Sequence, residues 1–264
     1  MKFLNEFLLV NTNNFLIKKV QKKISKLLKI YFVPTSLNSL PQNNYEMKWD
    51  INYQENLLQQ YKKKNHLISF NTFPEISNTL NKYFPDKDYN FKFLDFGGEN
   101  IDFYLEIRNN FKNVNYFVYN KKEVNNNFEI LKKRYNLNNL TILKDFNEIK
   151  KYKYDFVNFG SVIQYVNNYK DVLKEIIGVS KKFILFSGTH FYDLAQNEIM
   201  VVKQVNLLPN KFYCYFFHFE NFFSIFESRQ FSIIFKNENK TDKLSYKNFK
   251  NLNRIQYTDL LLSK

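Results

Sequence analysis

The chain has 264 residues, 44% of them hydrophobic, which suits one sizeable domain or one domain with an appendage and excludes a disordered chain. It carries 39 basic against 25 acidic residues, a formal net charge of +14, so an anionic partner has to be considered. A single cysteine, Cys214, excludes an internal disulfide and any cysteine-rich metal site.

Much of that charge has a bland origin. Only four basic residues are arginine (Arg108, Arg134, Arg229, Arg254), and Ala195 is the one alanine. Lys, Asn, Phe, Tyr and Ile abound, which is the imprint of an AT-rich coding sequence. Nucleic-acid readers favour arginine for bidentate contacts, so the composition argues against nucleic acid as the partner. The apolar runs are too short to cross a bilayer. Met1–Val10 is interrupted by Asn5 and Glu6, and no signal peptide is expected there. The expected location is the cytoplasm.

In chain order, residues 15–31 read as an amphipathic helix ended by Pro34. Ile17, Val20, Ile24, Leu27, Leu28 and Tyr31 recur at threes and fours, and lysines 18, 19, 22, 23, 26 and 29 fill the other face. Such a helix can lie on an anionic membrane surface, or pack on a domain with its lysines solvated. Residues 34–46 hold two prolines and many turn formers and read as a linker. The division expected is residues 1–44 as helix and linker, and 45–264 as the main domain. Residues 51–62 and 74–83 read as helices.

From residue 91 short apolar strands alternate with helices. The strands are Lys92–Phe96, Asn115–Tyr119, Leu140–Leu143, Asp155–Phe159 and Phe183–Phe186. Helices are expected at 101–111, 121–135 and 168–179. That alternation argues for a parallel sheet covered on both faces. A helix near 219–228 and strands at Phe231–Phe235 and Gln256–Leu262 follow. The last two strands have no helix between them and should pair antiparallel. The stretch Asn237–Asn253 reads as a loop.

In a doubly wound fold the ligand sits beyond the carboxyl ends of the strands. The first strand runs into Gly97-Gly98, where missing side chains let the backbone approach a nucleotide. Asn120 ends the next strand, where such folds place an acid on the ribose hydroxyls. A Gly-Gly turn alone fits a tight turn as well as a ligand cradle. His190, in Ser187–Asp193, is the histidine placed to act as a base, with a structural loop histidine as the alternative. His218 suits a helix cap, His66 a surface site and Cys214 a buried apolar position. Three scattered histidines give no metal signal.

Leu94-Asp95-Phe96-Gly97-Gly98 resembles the opening loop of class I methyltransferases that use S-adenosylmethionine (SAM). More narrowly, the chain resembles methyltransferases encoded in bacterial surface-polysaccharide and lipopolysaccharide gene clusters. Trp49–Tyr53, the glycine loop, Tyr154–Val166 and the stretch from Val201 to Phe231 carry the likeness, Tyr154–Val166 most specifically. The resemblance implies a Rossmann-like, doubly wound, mostly parallel sheet of seven strands. It implies Asp95, Gly97 and Gly98 beside the amino-acid part of SAM, and Asn120 at the ribose. Asp145 and Phe146 would lie at the adenine, and Gly160 and Ser161 near the reactive methyl. The implied activity is methyl transfer to a sugar or glycan intermediate of the cell envelope; the lysine helix, residues 15–31, which the resemblance does not cover, would by its amphipathicity hold the chain at the inner face of the cytoplasmic membrane. Glu99 and Ile101 stand where the family has further glycines, and Asn120 replaces the family's acid. These departures keep open a non-catalytic binding or scaffold protein with the same sheet. The net charge leaves a nucleic-acid methyltransferase as a third alternative.

Overall fold

A computed structural model describes residues 2–12, 14–42, 51–63, 74–193, 199–206, 212–239, 248–249 and 255–264. Trp49, Asp50, His66 and most of the expected 237–253 loop lie outside the described residues. The chain divides into two compact units. A central unit comprises Lys48–Gly160 and Gly178–Ile184, and a terminal unit comprises Met1–Met47, Ser161–Ile177 and Leu185–Lys264.

The central unit is built on parallel strands. β2 (Lys92–Phe96), β3 (Asn115–Tyr119), β4 (Leu140–Leu143) and β5 (Tyr154–Gly160) run in the order β5-β2-β3-β4. Phe96 pairs with Tyr119, Tyr119 with Leu143, and Asp95 with Asn158, so all four strands end at one side. Between them run α5 (Ile101–Asn110), α6 (Lys122–Tyr135) and the short α7 (Phe146–Ile149). Strands buried on both faces read as continuous apolar runs, which is why this sequence shows runs rather than alternation. The core is aromatic: Phe93 stacks on Tyr116 at 5.2 Å and on Phe156 at 5.1 Å. Before β2 stand α3 (Ile51–Lys63) and α4 (Pro74–Tyr83).

The terminal unit gathers both ends of the chain. It holds α1 (Lys2–Leu9), α2 (Phe15–Leu28) and β1 (Phe32–Pro34). It also holds β7 (Ile199–Gln204), β8 (Phe212–His218), α9 (Phe219–Glu227), β9 (Ser232–Asn239) and β10 (Ile255–Ser263). β6 (Ser180–Tyr192) begins in the central unit and continues into the terminal one, as α8 (Tyr169–Val179) passes the other way. β6 is parallel to β8, β8 antiparallel to β7, and β7 antiparallel to β1. β9 and β10 form the expected antiparallel pair.

The described residues thus hold ten strands, where seven are expected. The additions are β1, β7 and β8. α2 also stops earlier than expected, at Leu28 rather than before Pro34. Lys29 takes the left-handed conformation (φ 52°) and returns its N–H to the Lys26 carbonyl, closing the helix. β1 shares only Pro34 with the expected linker; within the linker, Leu40 is buried with its N–H donated to Tyr215 Oη at 3.3 Å. The described residues before 43 belong to the same unit as the late strands. Lys203, itself buried, donates its Nζ to the carbonyls of Leu8 and Leu9, both at 3.1 Å, at the end of α1.

Candidate functional site

The carboxyl ends of the four parallel strands bring together seven of the expected site residues: Asp95, Gly97, Gly98, Asn120, Asp145, Phe146 and Gly160. Gly97 has φ 78°, a conformation that L side chains rarely adopt, and its N–H donates to the Tyr119 carbonyl at 2.7 Å. Gly98 is held glycine for a different reason. A Cβ there would overlap the Asp95 carboxylate.

Asp95 is buried beneath that loop. Its carboxylate accepts from Tyr116 Oη at 2.7 Å and from Asn158 Nδ2 at 2.9 Å. Burial pushes its pKa up to about 6, against the two hydrogen bonds, which hold it down; the charges of Asp102 and Glu99 add to the rise. Asp95 is thus a brace that shapes the loop from below. Tyr116 and Asn158, the other two members of the brace, carry no signal in the sequence beyond lying in apolar strands.

Asn120 closes the loop from the side. Its Nδ2 donates to the Gly98 carbonyl at 2.8 Å, and its Oδ1 accepts from the Lys121 N–H. A carboxylate could not make the first bond, which gives Asn120 a local reason to stand in place of an acid. Asp145 caps α7, accepting at Oδ1 from the N–H groups of Asn147 and Glu148. Phe146 follows it, edge-on to Tyr119 at 6.0 Å.

Gln54 of α3 was not singled out by the sequence. It is buried, its Oε1 accepts from the Ile101 N–H at 2.6 Å, and its Nε2 donates to Asn100 Oδ1 at 2.9 Å. Asn100 makes no capping bond to α5, so Gln54 supplies the cap from a neighbouring helix. A glutamine in the first turn of one helix has no pattern that would reveal its role at the start of another.

Ser161 and His190 belong to the terminal unit. Ser161 has φ 53° and donates its N–H to the Ser187 carbonyl at 2.9 Å. Ser187–Tyr192 is strand and not a loop, which corrects the expected setting of His190. The strand bends at Gly188 (φ 56°), whose N–H donates to Asp259 Oδ1 of β10 at 2.7 Å. A Cβ at Gly188 would overlap Ser161 Oγ and Tyr257 Oη. His190 is buried, stacked on Phe216 at 4.5 Å and edge-on to Phe32 at 4.7 Å. Burial pushes its pKa down to about 3. It is therefore neutral, weakly basic and enclosed by rings. His218 caps α9, its Nδ1 accepting from the Asn221 N–H, and Cys214 is buried in the core with Phe32, Val202 and Phe216.

The chain is similar to several solved structures. The N-terminal domain of EvdMO1, solved with SAH bound, is 14% identical, with 93% of this chain and 95% of that one covered and a TM-score of 0.50. An O-methyltransferase from the trans-AT PKS multienzyme of Brevibacillus brevis, solved with S-adenosyl-L-homocysteine (SAH), is 13% identical, with 87% and 84% covered and a TM-score of 0.52. The [4+2]-cyclase SpnF is 8% identical, with 72% and 80% covered and a TM-score of 0.50. No protein-family model and no curated protein matches the chain. The likeness defines the fold: α/β, Rossmann-like, of the class I methyltransferase type with a mostly parallel sheet.

Proposed function

We propose that the chain is a SAM-dependent methyltransferase that methylates a sugar or glycan intermediate of the cell envelope, working at the inner face of the cytoplasmic membrane. The observation that carries this reading is the cradle at the ends of β2 and β3. There Gly97 has positive φ, Gly98 has no room for a side chain, and Asn120 ties the loop down. Such a loop admits a ligand to the backbone itself. Asn158 adds a second sign of fit: it is 4% exposed and its Oδ1 has no hydrogen-bond partner among the described residues.

In this reading Gly97 and Gly98 hold the amino-acid end of SAM and Asn120 meets the ribose. Asp145 and Phe146 meet the adenine, and Gly160 and Ser161 lie near the methyl-bearing end. Asp95 acts through the loop it braces. When bound, SAM supplies a methyl group already activated on a sulfonium. The chain's own residues then have to bind it, orient it and exclude water. The glycan acceptor rests on the resemblance carried by Tyr154–Val166. The solved neighbours with SAH bound support the cofactor.

A second reading is a binding or scaffold protein that has kept the sheet without the reaction. Gln54 favours it, since its Oε1 already occupies the first N–H of α5. The cyclase SpnF also shares this fold, so the fold alone does not dictate the reaction. The test is incubation of the purified chain with methyl-labelled SAM and either nucleotide sugars or extracted lipid-linked glycans. Label in a glycan or glycolipid is the expected result. Bound, unconverted SAM with no label in either pool would favour the scaffold.

A further inference from the structure

α2 exposes much of its apolar stripe: Leu28 packs against the core of Leu8, Ile30, Val33 and Val205 and Ile24 is half-buried, but the rest faces outward. Surface helices ordinarily bury their apolar stripe and expose the polar one. In α2 the buried residues are Gln21 and Ser25. Gln21 Nε2 donates to the carbonyls of Phe7 at 2.8 Å and Val10 at 3.1 Å, and Ser25 Oγ donates to the Ile30 carbonyl at 2.5 Å. The helix is thus pinned by these polar bonds and by Leu28, while Leu16 (69%), Val20 (49%) and Leu27 (79%) stand exposed. Exposed apolar residues in a group mark a binding surface.

The chemistry around that stripe identifies what covers it. Lys19, Lys23 and Lys26 run beside it at helical spacing and are exposed, and α2 contains no acidic residue. Aliphatic side chains flanked by a row of lysines match the boundary between lipid headgroups and acyl chains. We propose that the outward face of α2 docks on an anionic lipid bilayer, with Leu16, Val20 and Leu27 entering the interface and Lys19, Lys23 and Lys26 meeting the headgroups. Gln21 and Ser25 keep α2 folded on its own unit during docking, so the surface is prebuilt. No helix among the described residues is long and apolar enough to cross a membrane, which fits attachment in the plane of the surface. This inference deepens the membrane location proposed above. Vesicle binding and methyl transfer are read separately, so either can fail without the other.

The test is flotation of the whole chain with phosphatidylglycerol/phosphatidylethanolamine vesicles and with pure phosphatidylcholine vesicles. The wild type is expected to float with the anionic vesicles at low salt and to leave them at high salt. A variant with Leu16→Gln, Val20→Gln and Leu27→Gln should stay in solution with an unchanged melting temperature, because those side chains are exposed. A variant with Lys19→Gln, Lys23→Gln and Lys26→Gln should bind about a hundredfold more weakly and lose its salt response. Absence of binding at low salt overturns the proposal. So does unchanged binding by the leucine variant. Self-association of the wild type without vesicle binding, abolished in the same leucine variant, would assign the stripe to a second copy of the chain and also overturn it.

Discussion

Asp95 and His190 are both buried, and their proton affinities move in opposite senses. Asp95 rises from 3.8 to about 6, so the folded chain holds that proton more tightly than the unfolded chain. Its contribution is greatest below the unfolded value and declines as pH rises through the folded one. His190 falls from 6.5 to about 3, so its contribution is present above 6.5 and is lost as pH falls toward 3. Between these values the two slopes oppose each other. Asp95→Asn should therefore steepen the loss of stability on acidification, and His190→Phe should flatten it. Urea unfolding at about pH 4.5 and about pH 7.5 measures both, and a wild-type slope in either variant would contradict the assignment. Asn120→Asp should cost about 1–3 kcal/mol, because an acceptor would then face the Gly98 carbonyl. Urea unfolding of that variant checks the value, and a change near zero would mean that the loop does not depend on this bond.

Single elements differ in how openly the sequence declares them. β2, β3 and β4 match their expected bounds, since each is a short apolar run flanked by turn formers. β6 does not, because Ser187-Gly188-Thr189 carries the composition of a turn. The positive φ of Gly188 and the bond from its N–H to Asp259 carry the strand through that composition. The threes and fours of α2 give an apolar stripe correctly, yet periodicity cannot say which side faces inward. Gln21 and Ser25 decide that through partners outside the helix. α1 is held by a residue far along the chain, the buried Lys203, whose Nζ meets its last carbonyls. Lys203→Met removes those donors and should cost about 1–3 kcal/mol. Limited proteolysis should then cut first within residues 2–12, and a cleavage pattern like that of the wild type would contradict the anchoring role.

For the molecule as a whole, local patterns stop short where distant segments meet. Phe32 pairs with Gln204 and Pro34 with Val202, and nothing near residue 32 announces β7. β1, in the stretch expected to stand apart as helix and linker, is paired to β7. The site shows the same division. The glycines, Asn120, Asp145 and Phe146 are legible because they follow strands in a fixed order. Tyr116, Asn158 and Gln54 are not, because their meaning lies in bonds made across elements. The proposed SAM site rests on the loop beside those bonds. Calorimetric titration with SAH, of the wild type and of Gly98→Ala, is its decisive test. Micromolar binding by the wild type is expected, with loss of that binding in the variant, whose added Cβ would displace the Asp95 carboxylate. An absence of heat with the wild type, or equal binding by both proteins, would contradict it.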